Sequence, residues 1–117
     1  MRILLTPSGG RVALAPKRSY VLGRDAECDI VAHDLACSRQ HAKITVSEDG
    51  KTVHVEDLGS SNGTWINDEK IGRRTLLRLG GRFRIGASVF ALSLAKLPKN
   101  VSLMDAGTLI FDPSDEE

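Results

Sequence analysis

At 117 residues the chain is the size of one domain able to bury a core of its own. With 41% hydrophobic and 26% charged residues, and 16 basic against 15 acidic side chains, it reads neither as a globally basic nucleic-acid binder nor as an acidic disordered chain. The net charge of +1 hides an asymmetry: beyond Leu97 lie five acids (Asp105, Asp112, Asp115, Glu116, Glu117) and one base (Lys99), so the body carries 15 bases and 10 acids, a surplus that suits an anionic partner.

Glycine and proline punctuate the chain, and the apolar runs between them are too short for helices. In chain order the strand candidates begin with Arg2–Leu5, Val12–Leu14, Tyr20–Gly23 and Asp29–Val31. His41–Val46 alternates in part and Thr52–Glu56 alternates cleanly, with Asp49-Gly50 as a hairpin signal between them. Thr64–Ile66 and Lys70–Ile71 flank the tight turn at Asn67-Asp68-Glu69. Thr75–Leu79, Arg82–Ile85 and Ser88–Leu94 complete the set, separated by Gly80-Gly81 and Gly86. About ten short strands at this spacing read as an all-β sandwich of two mostly antiparallel sheets. The pattern weakens at Pro98, so the expected organisation is a domain over 1–97 and a C-terminal extension or linker over 98–117, partly flexible. Within that extension Val101–Met104 and Thr108–Phe111 are apolar enough to dock, and Asp112–Glu117 is expected to fray.

Two cysteines, Cys28 and Cys37, form no CxxC pair, and three histidines are scattered, so neither a disulfide scaffold nor a zinc spacing is expected. No cofactor or metal is expected either. Pro7 arrives too early for a signal-peptide core and no apolar run approaches ~18 residues, which gives a cytoplasmic expectation without membrane contact.

Three segments depart from plain strand chemistry: Gly23-Arg24 at a strand end, Ser38-Arg39-Gln40-His41 before a strand, and the polar loop Asp57-Leu58-Gly59-Ser60-Ser61-Asn62-Gly63-Thr64. Strand ends gather at the two ends of a sandwich, so the three can meet. Arg24 offers a planar fork of donors suited to phosphate, Ser38 and Ser61 offer hydroxyls, and Arg39 a second cation. Backbone N–H groups near Gly59–Gly63 can add an anion nest, and the Asn62 amide suits an extended peptide backbone. A phosphothreonine brings about −1.5 to −2 charges and three acceptor oxygens.

These blocks, in this order and continuing through Trp65-Ile66-Asn67, resemble the motifs of the forkhead-associated domain over roughly Arg2–Leu97. The resemblance implies an eleven-stranded β-sandwich that binds phosphothreonine peptides through loops at one end and is not an enzyme. It assigns phosphate contacts to Arg24, Ser38, Arg39 and Ser61, and a peptide main-chain contact to Asn62. Gly23, His41 and Gly63 become structural supports of the site. Cys37 stands where the family often has a branched apolar residue. Ala36 lies near where some members read the ligand beyond the phosphothreonine, and leaves that preference open.

The expected partner is a phosphothreonine protein or peptide, with a serine/threonine kinase or its substrate as a source. The alternative is a phosphorylation-independent scaffold or oligomerisation domain of the same fold. A hydrolase built on Ser38 and His41 is disfavoured, since no GxSxG elbow appears. The cluster Arg73, Arg74, Arg78, Arg82 and Arg84 reads as a solvated face rather than a nucleic-acid surface, because only Phe83 interleaves it. Trp65 is expected in the core or as a loop wedge. Thr108, if phosphorylated, would be a ligand for its own or a neighbour's Arg24 pocket, although an inert tail is the plainer reading.

Overall fold

Short β-runs broken by glycine and Asx turns leave no room for a helix among the described residues. The computed structural model describes residues 2–94 and the backbone of residues 108–111, and its regular elements there are all strands. They are β1 (Arg2–Leu5), β2 (Arg11–Leu14), β3 (Ser19–Gly23), β4 (Ile30–Val31), β5 (Ala42–Val46), β6 (Val53–Asp57), β7 (Thr64–Ile66), β8 (Glu69–Ile71), β9 (Thr75–Leu77), β10 (Arg82–Ile85), β11 (Ser88–Leu94) and β12 (Thr108–Phe111). One sheet has the order β12-β2-β1-β11-β10-β7-β8 and the other β4-β3-β5-β6-β9. Every pairing is antiparallel except β3 with β4. The architecture is therefore the all-β sandwich expected from the strand spacing.

Period-two alternation decides which side chains go inside. Ala42, Ile44 and Val46 of β5 and Val53 and Val55 of β6 are buried, whereas Lys43, Thr45, His54 and Glu56 are only half-buried. From the facing sheet come Leu4, Val12, Leu14, Phe83, Ile85, Phe90 and Leu92. Phe83 and Phe90 are register partners on β10 and β11, stacked with centroids 5.0 Å apart. Each such side chain contributes about 1.5–3 kcal/mol by leaving water. Tyr20 is buried with its hydroxyl accepting the Ala15 N–H at 2.8 Å, so its polar end is satisfied within the apolar layer.

Turn chemistry sets the strand limits. Asn67 and Asp68 both have positive φ (51° and 64°), the type I′ geometry whose twist matches a two-residue hairpin between β7 and β8. β9 stops at Leu77 instead of running to Leu79, because the Gly81 N–H bonds back to the Arg78 carbonyl and turns the chain.

The register then brings the three singled-out segments to one end. Leu22, Ala42 and Asp57 lie in a single row across β3, β5 and β6. The end of β3, the start of β5 and the end of β6 are consequently neighbours, and β4, parallel to β3, runs toward the same end.

The C-terminal extension contributes a strand. β12 pairs with β2 along Thr108↔Leu14 to Phe111↔Arg11, making twelve strands among the described residues, in keeping with the expected number of about eleven, and puts Thr108 in a sheet edge. Val101–Met104 and Asp112–Glu117 lie outside the described residues.

Candidate functional site

The strand β3 ends in glycine because nothing larger fits. A Cβ at Gly23 would lie 2.0 Å from the Arg39 carbonyl oxygen and 2.7 Å from its carbon. That close approach lets the chain cross-link two loops: the Arg24 N–H donates to the Ser38 carbonyl and the Asp25 N–H to that of Arg39. Arg24 is thus fixed at the edge of the segment that carries Ser38. Its Nε donates to the Cys37 carbonyl at 3.1 Å, and among the described residues no carboxylate pairs with its guanidinium.

His41 joins the second loop to the third. It is fully buried; its Nδ1 accepts the Ser38 N–H at 2.9 Å, so Nε2 carries the proton and donates to the Gly63 carbonyl at 2.9 Å. Ser38 Oγ meanwhile accepts the Ser61 N–H at 3.1 Å, which leaves its own proton to donate. Asn62 Nδ2 donates to the Ala36 carbonyl at 2.8 Å. Gly63 sits at φ 85°, the left-handed conformation that the turn back into β7 requires.

Asp57 shapes the third loop. Its carboxylate accepts the N–H groups of Gly59 and Ser60 and the hydroxyls of Ser60 and Thr64, and the Ser60 hydroxyl oxygen in turn accepts the Gly63 N–H. Burial pushes the Asp57 carboxyl pKa up, but the hydrogen bonds from Ser60, Thr64 and Gly59 outweigh it and hold the group below its ordinary value.

These loops enclose a cleft of about 290 Å³. Arg24, Ser38, Arg39, Ser61 and Asn62 line it together, with Leu35, Ala36 and Cys37 as an apolar rim. No acid is among the lining residues. The thiol below adds no negative charge either: burial, then the charges of Asp34 and Cys28, push Cys37 up to about 11 against a smaller opposing pull from Arg24. The cleft is cationic and rich in hydrogen-bond donors, the chemistry that suits a compact anion, and the adjacent amide group is of the kind that pairs with a peptide backbone.

The sequence motifs named the cleft residues; the scaffold behind them is less visible in the chain. Asp57 and Ser60 fall inside the third motif with no function assigned from sequence, although an Asp entering a Gly-rich loop is the pattern of an Asx turn, here closed by the Gly59 N–H two residues on. Asp34 was not singled out. Its carboxylate accepts the Ala36 N–H and the Ser88 hydroxyl, and those bonds, Ser88 first, hold it ionised below its ordinary range. It ties the rim to the β10–β11 turn across 54 residues of sequence, which no local pattern announces. Leu35, 93% exposed, is the most exposed large apolar side chain of the described residues and stands on this rim.

A model of the FHA domain matches residues 20–86, more than half of the chain and all of the site. The chain belongs to the forkhead-associated (FHA) family. It is 33% identical over 85 residues to the FHA domain-containing protein FhaB of Mycolicibacterium smegmatis, an alignment that takes in 73% of this chain and 53% of FhaB. The chain therefore spans about half the length of the FhaB relatives it matches. Among solved structures, the FHA domain of CT664 from Chlamydia trachomatis superposes with a TM-score of 0.76 at 32% identity, covering 81% of this chain and 98% of that one. A chain solved in a structural and functional analysis of phosphothreonine-dependent FHA domain interactions follows at a TM-score of 0.70 and 28% identity, covering 82% and 98%. The resemblance in the motif blocks thus extends over about four-fifths of the chain, and this FHA domain brings its three motif blocks to the end where Gly23, Ser38 and Asp57 meet.

Proposed function

We propose that this FHA domain recognises phosphothreonine peptides and acts as a non-catalytic module for phosphorylation-dependent association in signalling. One observation carries the reading: Arg24, Ser38, Arg39, Ser61 and Asn62, drawn from three separate loops, line one acid-free cleft. In this reading Arg24, Arg39 and the Ser38 and Ser61 hydroxyls take the phosphate, and Asn62 takes the peptide main chain. Gly23, His41 and Gly63 hold the loops in place. Family membership and a neighbour studied for phosphothreonine-dependent interactions support it. Serine/threonine kinases and their substrates are the proposed source of ligands.

The geometry weighs against hydrolysis. A general base needs a free nitrogen near the nucleophile. His41 bonds the Ser38 backbone rather than its hydroxyl, and its second nitrogen is committed to Gly63.

An oriented phosphothreonine peptide library screened against the wild type and Arg24→Ala tests the proposal. Selected peptides are expected to bind the wild type, to lose affinity by roughly 30-fold or more in the variant, as befits a lost partner of a desolvated charge at about 2–5 kcal/mol, and to fail when dephosphorylated. Phosphothreonine is expected over phosphoserine. Equal binding of phosphorylated and plain peptide, with Arg24→Ala silent, would establish the phosphorylation-independent scaffold instead.

A further inference from the structure

We propose that Trp65 and Arg84, on the outer face of the seven-stranded sheet, are positioning residues that pin Asn62 for peptide capture. The inference rests on the phosphopeptide reading above. Trp65 on β7 and Arg84 on β10 are register partners. Their chain neighbours Thr64, Phe83 and Ile85 point inward and are buried, so alternation puts Trp65 and Arg84 on the opposite face.

From there a closed ring of contacts returns to the cleft. The Arg84 guanidinium carbon lies 5.3 Å from the centre of the Trp65 ring, a cation–π distance. Arg84 Nη1 donates to the Gly86 carbonyl at 2.9 Å. Gly86 is pressed against the rim of the cleft, where a Cβ would come within 2.6 Å of the Ala36 Cβ. The Ala36 carbonyl accepts Asn62 Nδ2 at 2.8 Å, and the Asn62 carbonyl accepts the Trp65 indole N–H at 3.3 Å, which closes the ring.

Asn62 is exposed, so its own surroundings do not fix it. The ring holds it twice, by the side chain and by the main chain. One side-chain N–H is committed to Ala36; the second N–H and Oδ1 remain, one donor and one acceptor, which is what a peptide group needs. Ordering Asn62 before the ligand arrives removes a cost that binding would otherwise carry. The residues proposed to take the phosphate stand outside the ring: among the described residues none of Arg24, Ser38, Arg39 and Ser61 shares a hydrogen bond with Trp65 or Arg84.

The test separates peptide from phosphate. Trp65→Phe keeps a ring under Arg84 but removes the N–H; Arg84→Gln removes the cation. Each is expected to weaken a phosphothreonine peptide by about 3- to 10-fold, the scale of one hydrogen bond, and the double variant to fall no further than the weaker single. Inorganic phosphate, followed through the Ser38 and Ser61 amide resonances, is expected to titrate all four proteins alike. Unchanged peptide affinity in both single variants would overturn the proposal, as would a parallel loss for phosphate. In the ligand-free protein the Asn62 side-chain amide is expected to exchange more slowly than in either variant, and equal exchange would overturn the pin itself. A wild type that responds to neither phosphate nor phosphopeptide while keeping that slow exchange would overturn the phosphopeptide reading and leave the pinned Asn62 standing.

Discussion

A methyl group at position 23 has nowhere to go, because the Arg39 carbonyl oxygen occupies its place and Cys28 Sγ lies 3.0 Å away. Gly23→Ala is expected to destabilise the domain by about 1–3 kcal/mol and to separate Arg24 from the Ser38 loop, which urea unfolding and a phosphopeptide titration would register together. Asp57 makes a second prediction, one of pH. Its folded pKa lies below the ordinary 3.8, so its contribution to stability is full above that value and is lost as pH falls through the folded one. Asp57→Asn is expected to be less stable than the wild type near about pH 7, with the gap narrowing in urea melts near about pH 3. Much of the site could be read from the chain at this scale. Gly-Arg, Ser-Arg-Gln-His and the Asn-Gly loop are short blocks whose chemistry stands in consecutive residues. Asp34 and Arg84 could not be found that way, because what they do depends on Ser88 and Trp65, which only folding brings near.

Strands declared themselves wherever turn residues bounded them. Asn67-Asp68 and Asp49-Gly50 mark hairpins in the sequence and occupy them in the fold. Sheet order was not legible, since β1 pairing with β11 and β6 with β9 are long-range choices that alternation does not encode. β12 was legible as an apolar segment able to dock but not as a strand: its four residues gain their regularity from the free edge of β2. That edge yields a further prediction. Removing residues 98–117 would leave a row of unpaired N–H and C=O groups on β2. The truncated domain is expected to lose about 1–3 kcal/mol and to self-associate in sedimentation experiments. Its phosphopeptide affinity is expected to stay unchanged, because β12 and the β7–β8 hairpin stand at opposite edges of the sheet.

Taken as a whole, the molecule is electrically near neutral, but its body carries a basic surplus that the acids beyond Leu97 offset, and in the proposed reading the acid-free cleft is where an anion gains from it. The pH response of binding is then expected to follow the ligand. Affinity should decline below about pH 6, where phosphate takes up its second proton, while circular dichroism of the domain stays constant over that range. Cys37 takes no part, since it holds its proton up to about 11. The rim adds a last consequence. Asp34, Ala36 and Cys37 are tied down by Ser88, Asn62, Arg24 and the turn carbonyl of Asp34, yet Leu35 between them touches almost nothing. Sequence drift at position 35 therefore costs the fold little and changes only the outer lip of the cleft, while the packed positions 23 and 41 are closed to change.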